Sequence, residues 1–343
     1  MISMQPGNYA VRKLLGFPVA DINTQATDRW AVSPGSKVTI RPAKMLPGQL
    51  DRIRGSEFGT LQEVIRDFIG GFDSIQPQTF GYRLRDVTLI DGILYNENAV
   101  RHLRPRASKL PLHLTPPEVT HATMYESWRG NRWFGNWLAD DCLTYQLAEV
   151  EGAPVTSTPT VGHKADYEQR LGMRPARMEA AHFSELILFE DQAHNEGKRE
   201  RASRFRRRVI GKEARRHPGV FLLRGQGGDR RVLINERSIA ERLAANRGFT
   251  VINPVQSSLE EIARACGGAE VVAGVEGSHL VHGLMLMPPE ARLLVVQPPA
   301  RAVSFLKMIT DRQEQDFLQV IGEGTNEAFR ADVEDIERML DIA

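Results

Sequence analysis

Residues 271–289 read VVAGVEGSHLVHGLMLMPP. An apolar run enters Gly274, passes through Glu276, Gly277 and Ser278, and continues with helical spacing. His279 and His282 stand three apart on that helix and share a face. Glycines let a backbone come close to a ligand. Free N–H groups at a helix start, at the positive end of its dipole, favour an anionic phosphate. The spacing is neither G-x-G-x-x-G nor a P-loop. A strand-to-helix turn with polar caps and no ligand fits the same letters.

Working outward, the pattern predicts strands over 220–223, 232–234, 250–252, 270–273, 293–296 and 317–321. It predicts helices over 236–245, 258–266, from near 277, over 301–309 and over 331–342. Short apolar strands alternating with helices argue a parallel sheet covered on both faces, so the C-terminal half is expected to be a Rossmann-like doubly wound domain. Ligands of such sheets sit at the carboxyl ends of the strands. The first 120 residues are less periodic. Strands are expected over 37–40, 87–90 and 93–95, the last two flanking an Asp91-Gly92 turn, with a helix over 61–69. A longer helix is expected over 128–149 and a buried strand over 186–189.

Three further stretches carry chemistry. Residues 222–236, LLRGQGGDRRVLINE, place Arg224 directly after a strand, Arg230 and Arg231 after a glycine-rich loop, and Asn235-Glu236 at a helix start. Guanidinium forks bind phosphate oxygens in pairs, although a solvated hairpin reads the same way. In residues 128–141, WRGNRWFGNWLADD, Asn136 and Asp140 lie four apart on one helix face, and Trp133, Trp137 and Asp141 on a neighbouring one. A carboxylate beside aromatic rings suits a sugar hydroxyl that must lose a proton, while an amphipathic core helix with two acids is the plainer alternative. The run 198–216 holds ten Lys or Arg against Glu200 and Glu213. It reads first as a solvated helix face and second as a contact for phosphates or an anionic membrane.

Composition excludes several classes. The 343 residues carry 44 Lys and Arg against 43 Asp and Glu, a net charge of +1 that gives no support to a dedicated nucleic-acid binder. The two cysteines, Cys142 and Cys266, are far apart and outside any C-x-x-C, so neither a disulfide scaffold nor a cysteine zinc site is expected. No basic region followed by a long apolar run opens the chain, and the longest apolar stretches are too short to span a bilayer. A cytoplasmic protein is expected, with attachment to the inner face of a membrane left open.

Taken in order, these stretches resemble glycosyltransferase family 61, including its bacterial members of capsular polysaccharide biosynthesis. The residues that carry the resemblance are Gly135-Asn136-Trp137-Leu138-Ala139-Asp140; the apolar strand ending in Phe189-Glu190-Asp191; Arg224, Arg231 and Asn235-Glu236; and the turn from Gly274 to His279 followed by Met287-Pro288-Pro289. Together they span roughly residues 120 to 300. The family often has His where Asn136 stands, and a His-Gly-Ala turn where this chain has Glu276-Gly277-Ser278. An Asn cannot serve as a base, so a proton-transfer role at that first position is lost.

The resemblance implies an α/β chain of GT-B type, two Rossmann-like domains facing a cleft, with an acceptor-side domain over 1–180 and a nucleotide-sugar domain over 181–343. It implies inverting transfer from a nucleoside-diphosphate sugar, expected to be UDP-linked, to a glycan or lipid-linked glycan hydroxyl, with no cofactor, no essential metal and no nucleic-acid partner. Asp140 is the expected base and Glu276 its alternative. Arg224, Arg231, Asn235, Gly277, Ser278, His279 and His282 are the expected donor contacts, and Asn136 and Trp137 the expected sugar contacts. Two other readings remain: a non-catalytic glycan or nucleotide binder, and a nucleotide-dependent oxidoreductase or epimerase. The second wants a G-x-G-x-x-G that this chain lacks.

Overall fold

A computed structural model describes residues 2–97, 99–212, 214–225, 231–325 and 327–342. Arg230 lies outside the described residues. The chain is a mixed α/β protein with parallel sheets and divides into two compact units, Met1–Gly35 with Pro77–Ala193, and Ser36–Gln76 with His194–Ala343. This differs from the division expected at 180/181 in two ways. Strand Ala180–Glu190 pairs along its length with Thr79–Ile90, so it belongs to the first unit. Residues 36–76 belong to the second unit, to which backbone hydrogen bonds tie them.

The second unit is built on five parallel strands in the spatial order Thr250–Ile252, His217–Leu222, Ala269–Val275, Arg292–Gln297, Asp316–Ile321. In chain order this is 2-1-3-4-5. Such an order has a topological switch point between its first and third strands, where a crevice opens at the carboxyl ends. Those ends are aligned, Leu222 pairing with Gly274. The strands read as continuous Val, Leu and Ile because helices cover both faces. Val271, Ala273, Val275, Leu294, Val296, Leu318 and Val320 pack with Ile239, Leu243, Ile336 and Met339. The stretch expected as a sixth strand is instead the short Val232–Leu233, paired with Ala328–Arg330 in a separate small sheet.

The excursion of residues 36–76 covers one edge of this sheet. Lys44 donates its amide to the Phe317 carbonyl at 2.9 Å and accepts from the Gln319 amide at 3.0 Å. Phe68 stacks on Phe317, and Leu46 is buried in the main core. Helix Leu61–Ile69 starts on a Thr60–Glu63 capping box. Truncating a buried Leu costs about 2–5 kcal/mol, against about 0–1 kcal/mol for an exposed ion pair. The core contacts, more than the half-exposed Lys44–Asp316 pair, therefore hold the excursion in place.

The first unit departs from a doubly wound sheet. Its eight-stranded sheet is parallel from Ala176–Arg177 through Pro154–Thr156 and Glu118–Met124 to Ala180–Glu190, and antiparallel beyond. The hairpin from Thr79–Ile90 into Ile93–Asn96 turns on Asp91 and Gly92, both at positive φ, as a two-residue hairpin turn demands.

The basic run is in part the solvated face expected, with Arg204, Arg207, Arg208, Lys212, Arg215 and Arg216 exposed. In helix Glu196–Ile210, Lys198 and Arg201 are buried, and Arg206 donates to the carbonyls of Leu286, Met287 and Gly267. The other cations of the run thus include structural ties inside the second unit. Among the described residues, no helix is long and apolar enough to cross a membrane.

Candidate active site

At the switch point, the two strand ends deliver Leu223-Arg224-Gly225 and Glu276-Gly277-Ser278. The first turn is held by Glu236, the opening residue of helix Glu236–Arg247. It accepts the amides of Arg224 at 2.7 Å and Gly225 at 2.9 Å. Burial raises the Glu236 pKa, and the two amides oppose the rise. Gly277 is required by close approach. A Cβ there would lie 2.6 Å from Arg224 Nη1 and 3.1 Å from His279 Nδ1, at a φ of +156° that side chains rarely adopt.

Around this glycine the structure gathers three guanidiniums. Arg231 Nε donates to the Glu276 carbonyl at 3.2 Å and lies 3.2 Å from Glu276 Oε2. Arg301 Nη1 stands 3.7 Å from the same oxygen, and Arg301 Nε is 3.0 Å from Glu57 Oε2. Arg231, Arg301 and Glu276 are 8%, 7% and 6% exposed. Buried charge is costly unless paired. Arg231 Nη1 has no hydrogen-bond partner among the described residues. No hydrogen bond from the amides of Gly277, Ser278 or His279 is present among them either, whereas the amides of Leu280, Val281 and His282 return to carbonyls one turn back. This cluster of cations and amides is suited to an anion.

His279 caps helix Leu280–Leu286. Burial and the nearby Arg224 charge lower its pKa to about 3, so it is a neutral imidazole near neutral pH. Asn235 is used structurally, donating to the Ala331 carbonyl at 2.8 Å and accepting from its amide at 3.3 Å. His282 is buried within the helix. Glu57, Glu236 and Arg301 were not singled out as site residues. For Glu57 no sequence signal exists, because the partner that uses it lies more than two hundred residues away.

The first unit carries the second group of expected residues. The helix expected over 128–149 breaks at Trp133, whose backbone is extended, and loosens into a π turn at Trp137–Asp141. Such turns recur at functional sites. Asn136 Nδ2 donates to Asp140 Oδ2 at 3.0 Å, as the four-residue spacing suggested. Asp191, at the end of its strand, accepts from Thr79 Oγ1 and from Thr144 Oγ1, both at 2.9 Å. Thr144 Oγ1 also lies 3.1 Å from the Asp140 carbonyl. The acid that ends the apolar strand thus fixes the turn carrying Asp140.

Trp137 is 5% exposed, edge-on to Tyr167, with Lys164 Nζ 5.2 Å from its ring centre. It is a wall of the core, and the cavity beside it, about 10 Å³, holds no more than a water. Asp141 is buried, with its carboxylate packed on Gly130 and bonded to Ser127 Oγ at 2.7 Å. Burial lifts its pKa well above the usual carboxylate range, against the Ser127 bonds. A raised folded-state pKa contributes stability that is full at low pH and fades as pH rises through it. Raising the pH from 4 to 8 should therefore lower the Tm of the native chain, and Asp141→Asn should flatten that fall. An unchanged pH slope would assign the charge elsewhere.

A family model for glycosyltransferase 61 matches residues 98–294, more than half of the chain and a span that contains both strand-end turns and the Trp133–Asp141 segment but neither Arg301 nor Glu57. No curated protein matches. Among solved structures, the metal-soaked Flv1 flavodiiron core from Synechocystis sp. PCC6803 is similar at 13% identity with a TM-score of 0.26. The match covers 76% of this chain and 62% of that one.

Proposed function

We propose that this chain, which belongs to the glycosyltransferase 61 family, is an inverting, metal-independent transferase. It takes a sugar from a nucleoside-diphosphate donor, UDP-linked by expectation, and places it on a hydroxyl of a glycan or lipid-linked glycan, as in capsular polysaccharide assembly. The observation that carries the donor assignment is Arg231. Its buried Nη1 has no protein partner among the described residues, beside Gly277 and the half-buried Arg224 at a switch point.

In this reading the acceptor oxygen attacks the anomeric carbon as the bond to the diphosphate breaks. The leaving group gains negative charge, and preorganised donors that meet it lower the barrier. Arg224, Arg231 and the amides of Gly277, Ser278 and His279 supply those donors. Cationic side chains do the work a bound metal would otherwise do. Glu276 spends Oε2 on Arg231 and Arg301, so it orients the cations, and Asp140 is left as the base that takes the acceptor proton. No cofactor is called for, and the cytoplasm is the expected compartment.

The test is calorimetric titration with UDP, GDP, CMP, ADP and NAD, each with magnesium and with a chelator. Binding of UDP or GDP that survives chelation is the expected result. Transfer lost to the chelator and restored by magnesium or manganese would overturn the metal-free reading, and binding of NAD alone would overturn the transferase.

A further inference from the structure

Two segments of the first unit, residues 2–19 and 99–117, are joined in space. Strand Ile2–Ser3 pairs with His113–Leu114, and helix Gln5–Leu14 lies against the Pro111 carbonyl at Gly7. The first segment contains Arg12 and Lys13, the second Arg101, Arg104, Arg106 and Lys109, and neither contains an Asp or a Glu. Arg101 and Arg104 are paired with Asp21 and Asp91, and Arg106 lies near Asp91. Arg12, Lys13 and Lys109 have no ion pair among the described residues.

Beside these cations stand bare apolar side chains. Leu14, Leu15 and Phe17 continue from the helix, and Leu110, Leu112 and Leu114 come from the neighbouring segment. Leu14 is 86% exposed, Leu114 76% and Leu110 68%. Single exposed leucines need no explanation, but so many on two segments that touch each other point to an interaction surface. A cavity of about 360 Å³ opens beside the same helix, lined by Tyr9, Arg12 and Tyr95 but also by Glu97, whose carboxylate disfavours an anion inside it. The buried Tyr95 hydroxyl has no hydrogen-bond partner among the described residues.

We propose that this face docks the first unit on an anionic lipid surface. Its apolar side chains enter the acyl boundary, and its unpaired cations meet the headgroups. Apolar residues ringed by cations are the signature of interfacial binding. A second copy of the chain is a poorer occupant, because a two-fold contact would bring the same unpaired cations together. The proposal is independent of the donor assignment, and its test reads no turnover.

The experiment is co-sedimentation with vesicles of equimolar phosphatidylglycerol and phosphatidylcholine, against phosphatidylcholine alone. The native chain should sediment with the anionic vesicles, less so as salt rises, and stay free of the neutral ones. Each cation near such a surface is worth about fivefold in partitioning, so Lys13→Glu with Lys109→Glu should lower it at least about tenfold. Leu14→Ser, Leu15→Ser and Phe17→Ser together should lower it comparably. All these side chains are exposed, and an unchanged thermal melt confirms that the variants fold. Four results would overturn the proposal: no sedimentation, equal binding to neutral vesicles, undiminished binding by the charge variant, or a vesicle-free self-association that the apolar variant abolishes.

Discussion

Arg231→Ala is expected to weaken binding of a nucleoside diphosphate by about ten- to a hundredfold, since a charge-assisted hydrogen bond is worth about 1.5–3 kcal/mol. The loss in transfer should be larger still, about 10²–10³-fold in kcat, if the guanidinium meets charge that grows on the leaving group. The substitution also takes from Glu276 the cation 3.2 Å from its Oε2. Gly277→Ala should reproduce the binding loss without removing any charge, because the new methyl would stand 2.6 Å from Arg224 Nη1 and force that side chain aside. Arg242→Ala serves as the control. Arg242 is an exposed residue paired with Glu337, and its loss should leave donor affinity intact. Calorimetry with UDP separates the cases. Unchanged affinity in Arg231→Ala would withdraw the phosphate role, and an equal loss in Arg242→Ala would reduce the effect to net charge.

That this site could be approached from sequence at all has a physical cause. The strands of a parallel sheet are buried on both faces, so 220–223, 270–273 and 293–296 stand out as apolar runs, and the residues that follow them fall at the ligand-binding edge. The structure places strands at His217–Leu222, Ala269–Val275 and Arg292–Gln297. Helix Leu61–Ile69 lies where it was expected, and in the structure its start is fixed by the Thr60–Glu63 capping box. The helix expected over 301–309 begins later, at Phe305. Residues 298–302 instead hydrogen-bond with the excursion, through Arg54 to Pro299 and Ala302 to Gly55. That pairing joins residues far apart in the chain, and no local pattern encodes it. The same holds for Glu57 on Arg301. The break at Trp133 was hidden for another reason. Trp133, Trp137 and Asp141 have helical spacing, but Asp141 is drawn to Ser127 and Trp137 to Tyr167, and tertiary contacts prevailed over the period.

Asp140→Asn is expected to lower kcat by about 10²–10⁴-fold, the usual contribution of a positioned base, while donor affinity stays as in the native chain. The substitution is nearly isosteric, and its amide oxygen still accepts from Asn136 Nδ2, so the π turn and the Thr144 tie should persist. Glu276→Gln should behave differently. Its side chain is in contact with Arg231 and near Arg301, so weakening that charge frees both guanidiniums, and donor affinity must change along with turnover. Steady-state kinetics and UDP titration on the two variants therefore give distinguishable signatures: a pure kcat loss for a base, and a coupled change in affinity and rate for a residue that orients cations. Near-normal turnover in Asp140→Asn, together with a pure kcat loss in Glu276→Gln, would exchange the two roles. Donor binding retained by the native chain and both variants, with no transfer by any of them to a glycan panel, would make the chain a binder that has kept the phosphate site and lost the reaction. Asn136 is where such a loss would begin, since it stands where the family often carries an ionisable His.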